Sequence, residues 1–234
     1  MESPSTFRSG DCERPNREER GRTLKVFLHQ RLHAPVSIGA RKMVFTSWMI
    51  GVSALLIERF KPATPLPRVR GWAWRSKLFV LVEIATVALT CVVVWFATLL
   101  VPVNALFDAS SAPLVVQVAL NFALSTFVFY WWHRLRHESN FWWLATHQFH
   151  HSPARIEAIT AFYKHPTEVA LDTLLNLALS FLVLGVSVET FVAHTACVAS
   201  SQFFVHMNVA TPRWVGYFIQ RPEMHRIHHG FGVH

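Results

Sequence analysis

The sequence predicts an all-α fold: an integral membrane helical bundle of about four to five apolar helices with a cytosolic histidine-rich helical cap. Three observations predict it. The 234 residues are 52% hydrophobic and only 15% charged, which excludes a disordered or heavily solvated chain. The apolar residues fall in long runs that a soluble core of this size does not need. The 14 histidines equal the Asp and Glu combined, and most follow residue 132, beside the apolar runs. In this setting the net charge of +8 belongs to a membrane surface, with no nucleic acid partner. Cys12, Cys91 and Cys197 are too scattered for a disulfide framework or a CxxC metal site.

The elements follow in order. Residues 1–42 read as a polar, basic, disordered tail, without the apolar run that a signal peptide needs close behind its start. Residues 43–234 read as one membrane-embedded domain. Within it, 43–57 is apolar but short for a span. Segment 78–103 carries a single acid, Glu83, and is long enough to cross with tilt. Segment 114–132 holds Gln117 and Asn121 at helical spacing. Segments 169–186 and 188–205 form an expected hairpin around Gly185.

Orientation follows from Lys and Arg placement. Connector 104–113 has none, 58–77 has six, 133–168 has four, and the stretch after 205 has three. The positive-inside rule places the last three in the cytosol. The basic tail opposes this if 43–57 crosses fully, and a re-entrant or interfacial segment avoids the conflict. Trp72, Trp74, Tyr130 to Trp132, Trp142, Trp143, Trp214 and Tyr217 lie at segment ends, as an aromatic belt at a lipid–water boundary does.

The histidines are arranged. His133 and His137 form an HxxxH. His147, His150 and His151 form an HxxHH, repeated by His225, His228 and His229. Positions i, i+3 and i+4 share one helix face, so each cluster is expected to aim its imidazoles at a common point. Neutral imidazole ligates iron, zinc, copper or nickel. These eight are too many for one ion and suit two. His206, at the end of the fifth apolar segment, is a further candidate ligand, and Gln202 one turn earlier is placed to offer an oxygen. His165, before Pro166 and Glu168, is open to three roles: ligand, outer contact to a ligand, or helix-start residue. His194 lies about 18 Å along the same helix from His206 and is expected to be packed or hydrogen-bonded. His29 and His33 read as solvated.

Other chemistries are absent from the sequence. There is no HExxH of zinc proteases and no GxGxxG of nucleotide-binding modules. There is no Glu-x-x-His pair of the soluble di-iron bundles. A transporter would place ligands at mid-membrane, whereas these clusters flank the apolar segments.

His133-Arg-Leu-Arg-His137, His147-Gln-Phe-His-His151 and His225-Arg-Ile-His-His229 resemble the three histidine boxes of the fatty acid hydroxylase/sterol desaturase superfamily. So does the text around them: Tyr130-Trp-Trp-His133, Ala161-Phe-Tyr-Lys-His-Pro166, Val205-His-Met-Asn208 and Thr211-Pro-Arg-Trp214. The similarity covers roughly 110–234. It implies a cytosol-facing centre of two iron ions, with zinc able to occupy it on isolation. The ligands would be His133, His137, His147, His150, His151, His206, His225, His228 and His229, with no catalytic residue beyond them. His165, Gln202 and His234 would be outer contacts or additional ligands. The implied reaction is O2-dependent hydroxylation or desaturation of a sterol, fatty acyl chain or related lipid, in lipid biosynthesis. Electrons would come from an external donor of cytochrome b5-like or ferredoxin/reductase type. The implied location is a bacterial inner membrane or the endoplasmic reticulum. Family members continue beyond the last box with segments that cover the site, whereas this chain ends at His234. On this reading the domain is C-terminally incomplete. The alternative function is a truncated, non-catalytic membrane protein that keeps the fold and binds zinc.

Overall fold

The computed structural model describes residues 37–101 and 104–230. Most of the expected tail (1–36) and His234 lie outside them. The described residues contain helices and no strand.

Helix α1 (Ile38–Phe60) begins at Ser37, whose hydroxyl accepts the Ala40 N–H at 3.3 Å. It starts five residues before the tail boundary expected from composition, and Ala40 within that stretch is fully buried. At 23 residues it is long enough to cross a membrane, which corrects the expectation of a short segment. The apolar core of 43–57 was legible, but its amphipathic ends, with Arg41, Lys42 and Glu58, were not counted as helix. Helix α2 (Trp72–Leu100) buries only Trp72 and Ser76. Leu81, Ile84, Leu89, Val93 and Phe96 are exposed along it, a surface compatible with lipid and not with water. Helix α3 (Leu114–Glu138) runs past the apolar segment to carry the first histidine pair. Helix α4 (Pro166–Leu177) continues through a π-helical turn, Ala178–Val183. Helix α5 (Val188–His206) and the short α6 (Pro222–His228) complete the set.

Among the described residues four helical stretches are long and apolar enough to span a membrane: α1, α2, α3 and Pro166–Val183. Helix α5 is not among them, because Glu189, His194 and Gln202 interrupt it. It instead packs against both α1 and α3 as an internal element. Gly51 of α1 permits this approach, since a Cβ there would lie 2.7 Å from the Phe203 ring. Polar side chains tie the helices together. Asn121 donates to Ser180 at 2.9 Å, His194 pairs with Ser125 at 2.9 Å, and Thr190 donates to Gln117 at 2.8 Å.

The helices alternate in direction, so all three histidine clusters lie at one end. At the other end, backbone N–H groups of Leu106, Phe107 and Ala109 donate to Leu182, Val183 and Leu184 (2.8–2.9 Å), which satisfies carbonyls that the π turn leaves open. Gly185 turns the chain there with φ +60°, and a Cβ would lie 2.4 Å from Phe107 O. The expected hairpin around Gly185 is therefore present.

Of the belt aromatics, Trp74, Tyr130, Trp131, Trp214 and Tyr217 are exposed. Trp72 is not a belt residue: it is buried, stacks on Tyr163 at 5.4 Å and donates to Glu157.

Candidate metal centre

The histidine end is built by four pieces of chain. Helix α3 presents His133 and His137 one turn apart. After Ser139, which caps the next turn, residues Asn140–Trp142 lead into a π-helical turn at Trp143–His147, and a tight turn carries His150 and His151. The last turn of α5 supplies His206. Helix α6, opened by Pro222 at its first turn, supplies His225 and His228, with His229 at its C-terminal cap.

Nine imidazoles converge there in two groups. His133, His137, His147, His151 and His228 form one; His150, His206, His225 and His229 form the other. Within each group the potential ligand atoms all lie within 4.8 Å of one another. The HxxHH boxes do not each aim at a common point, which corrects the simple helical argument. His147 and His151 join the five-histidine group while His150 joins the other. The third box does the reverse, giving His225 and His229 to the four-histidine group and His228 to the five. The reason is angular: neighbouring residues on a helix point about 100° apart, so i and i+4 pair while i+3 diverges.

The donor set fits metal ions. Nε2 atoms of His133 and His228 are 2.8 Å apart, and those of His147 and His151 are 3.2 Å apart. In the second group the separations are 3.2 Å for His150–His206, 3.0 Å for His206–His225 and 3.1 Å for His225–His229. Two nitrogens each about 2.1 Å from one ion and at right angles to it would be about 3.0 Å apart. Burial, and then the neighbouring histidines, hold His150 and His151 well below the usual imidazole range; for His147 burial comes first and the Arg136 charge second. Burial and then the neighbouring histidines bring His225 to about 3 and His229 to about 2. Neutral rings with their lone pairs facing inward are the form that ligates.

Behind the imidazoles stands a charged layer that the sequence reading did not identify. Glu168 Oε1 accepts from His147 Nδ1 at 2.7 Å and from Arg136 Nη1 at 2.5 Å. Asp172 lies 3.5 Å from the same Arg136 nitrogen and accepts from Trp132 Nε1 at 2.8 Å. Burial pushes the Lys164 ammonium down, but Glu83, Asp172 and Glu168 outweigh it and leave it raised. The available signal was the pair of acids, Glu168 and Asp172, opening an apolar run, which is costly unless cations meet them.

Of the three secondary candidates, His165 is exposed and caps α4, with its Nδ1 2.8 Å from Thr167 Oγ1; it belongs to neither group. Gln202 contributes its backbone carbonyl, which accepts from His206 Nδ1 at 2.9 Å; its side chain is in neither group. His234 lies outside the described residues. A groove of about 480 Å³ between α1 and α5, lined by Met49, Ile50, Ala54, Ile57, Phe204 and Met207, reaches the residues flanking His206.

A sequence model of the fatty acid hydroxylase family matches residues 118–234, the half of the chain that holds every described histidine of the two groups. An alkylglycerol monooxygenase of Xenopus tropicalis is 29% identical over 115 residues, 47% of this chain and 24% of that protein. An alkylglycerol monooxygenase of Homo sapiens is 30% identical over 105 residues, 44% of this chain and 23% of that protein. The matched stretch thus spans about a quarter of the length of these relatives. No solved structure matches the chain. Four apolar helices together with the family match identify an integral membrane protein.

Proposed function

The chain belongs to the fatty acid hydroxylase family, and from that premise we propose that it is an O2-dependent oxidoreductase acting on a lipid C–H bond at a histidine-held di-iron centre. The convergence of nine buried or half-buried imidazoles into two groups carries this reading. His133, His137, His147, His151 and His228 would hold one ion, and His150, His206, His225 and His229 the other. When bound, the iron pair supplies O2 activation and removal of hydrogen from an unactivated C–H bond.

The chain's own residues do the rest. Nine neutral ligands leave the metal charge available for oxygen and electrons. Glu168 keeps the His147 proton on Nδ1. The apolar wall of Met207, Phe204 and α1 offers a lipid chain a path towards His206 and keeps water from it. The name of the relatives directs the substrate towards an alkylglycerol and the outcome towards hydroxylation. The stretches 58–77, 133–168 and beyond 205, at the histidine end, carry thirteen Lys and Arg and connector 104–113 carries none, which supports a centre facing the cytosol, while Arg41 and Lys42 at the other end of α1 run against it. There an external donor of cytochrome b5-like or ferredoxin/reductase type would deliver electrons, in a bacterial inner membrane or the endoplasmic reticulum.

The test is metal analysis of detergent-purified protein, followed by turnover of an alkylglycerol and of other lipids with labelled O2. About two metal ions per chain and label in a lipid alcohol are expected. Metal-free protein with all nine histidines intact overturns the reading. Zinc binding with no turnover, under iron reconstitution and with reductant supplied, favours a non-catalytic relative.

A further inference from the structure

The two imidazole groups differ in what stands behind them. At the five-histidine group, Glu168 meets His147 Nδ1 at 2.7 Å. An ionised carboxylate can only accept, so His147 carries its proton on Nδ1. Its Nε2 lone pair then faces the group, 3.2 Å from His151 Nε2. Glu168 cannot easily swing away. It is buried and gripped by Arg136, whose guanidinium lies 5.3 Å from the Trp132 ring centroid. That Trp in turn donates to Asp172. Lys164 and Arg136 are in turn surrounded by Glu83, Glu168 and Asp172, so the cation that grips Glu168 is itself held in an ionic network.

At the four-histidine group the backing is weaker. Backbone carbonyls of Gln202 and Tyr163 lie 2.9 Å from His206 Nδ1 and 3.4 Å from His150 Nδ1. Among the described residues no carboxylate meets any of these four rings.

We propose that Glu168 is a positioning residue that makes the two metal positions unequal. It fixes the His147 tautomer and enriches Nε2 with electron density, because a carboxylate pulling on one ring N–H raises the basicity of the other nitrogen. The five-histidine position is therefore filled first and held tighter. This inference rests on the di-metal reading above.

The test is titration of full-length apoprotein in detergent with Zn2+ alone, in competition with a chromophoric chelator. The wild-type chain shows two affinity classes. Glu168→Gln weakens the tighter class about 10- to 100-fold and leaves the weaker class in place. Asp172→Asn removes another acidic partner of Arg136 but spares the Glu168–His147 pair, so it moves the tighter class less. Apoprotein melting measured on both variants separates this effect from general destabilisation. If Glu168→Gln does not accumulate as folded protein, Glu168→Asp decides: it keeps the charge, withdraws it from His147, and gives an intermediate loss. An unchanged tighter class in either Glu168 variant overturns the proposal, as does equal weakening of both classes. Equal weakening by Glu168→Gln and Asp172→Asn also overturns it. No zinc binding by the wild-type chain overturns the metal reading itself, whereas two bound zinc ions with Glu168→Gln unchanged overturn this inference alone.

Discussion

His194 and His206 lie on one helix, both fully or almost fully buried, and they could hardly be used more differently. His194 meets the Ser125 hydroxyl at 2.9 Å through Nε2 and the edge of Phe122, so that nitrogen has a complementary partner inside the bundle. His206 turns Nε2 towards His150 and His225 at 3.2 and 3.0 Å. Neutral nitrogens facing one another cannot satisfy every ring, and burial forbids charging them cheaply. Complementary partners mark a packing histidine, and like partners converging on one point mark a ligand. The 12 residues between them along the helix set the two apart in the sequence, and their partners give the physical reason.

The sharpest way to break this comparison is to remove each ring. His206→Ala is expected to lower retained metal to about one ion per chain and to abolish lipid turnover. His194→Ala should keep both metals and lose only stability. Metal analysis of the two variants side by side checks this, and equal metal content would erase the distinction. Gly185→Ala probes the opposite end. Positive φ and the approach to Phe107 O predict a loss of about 1–3 kcal/mol on unfolding in detergent, with metal stoichiometry unchanged.

Acid pH distinguishes the regions in another way. His225 at about 3 and His229 at about 2 stay neutral in the folded apoprotein, while in the unfolded chain they charge below about 6.5. The unfolded state therefore binds more protons as pH falls, and stability drops from about pH 6.5 downward. The loss is up to about 1.4 kcal/mol per histidine per pH unit. Melting curves of apoprotein between pH 7.5 and 5.5 test this, and a flat profile contradicts it. The smallest effect belongs to Asn121→Ala, which removes a bond to Ser180 and is expected to cost about 0.6 kcal/mol, at most about 1.7. A loss of metal in that variant would show that the two regions are coupled.

Much of this was legible in the sequence. Apolar length located the spans and, at the end of the fifth apolar segment, His206, and the imidazole spacings marked the other eight rings, because both depend on local periodicity. What escaped depends on three-dimensional partners. The division of each HxxHH between two groups needs the other chain segments to be in place. Glu168 looked like the first turn of a helix, and only its distance to His147 gives it a role. His165, the equally prominent neighbour, proved to be a cap. Helix α1 was underestimated because Ser37 and the charged ends of the segment extend it beyond its apolar centre.

The π-helical turn at Trp143–His147, closed by Gln148 N–H on Trp143 O at 2.9 Å, has a consequence for how this protein tolerates change. Such a turn holds one residue more than an ordinary helical turn. If the same residues wound as ordinary α-helix, the surplus residue would swing His147 about 100° around the axis, away from Glu168, with every letter of the second box intact. The phase of the chain is as much a part of the metal centre as the histidines it delivers.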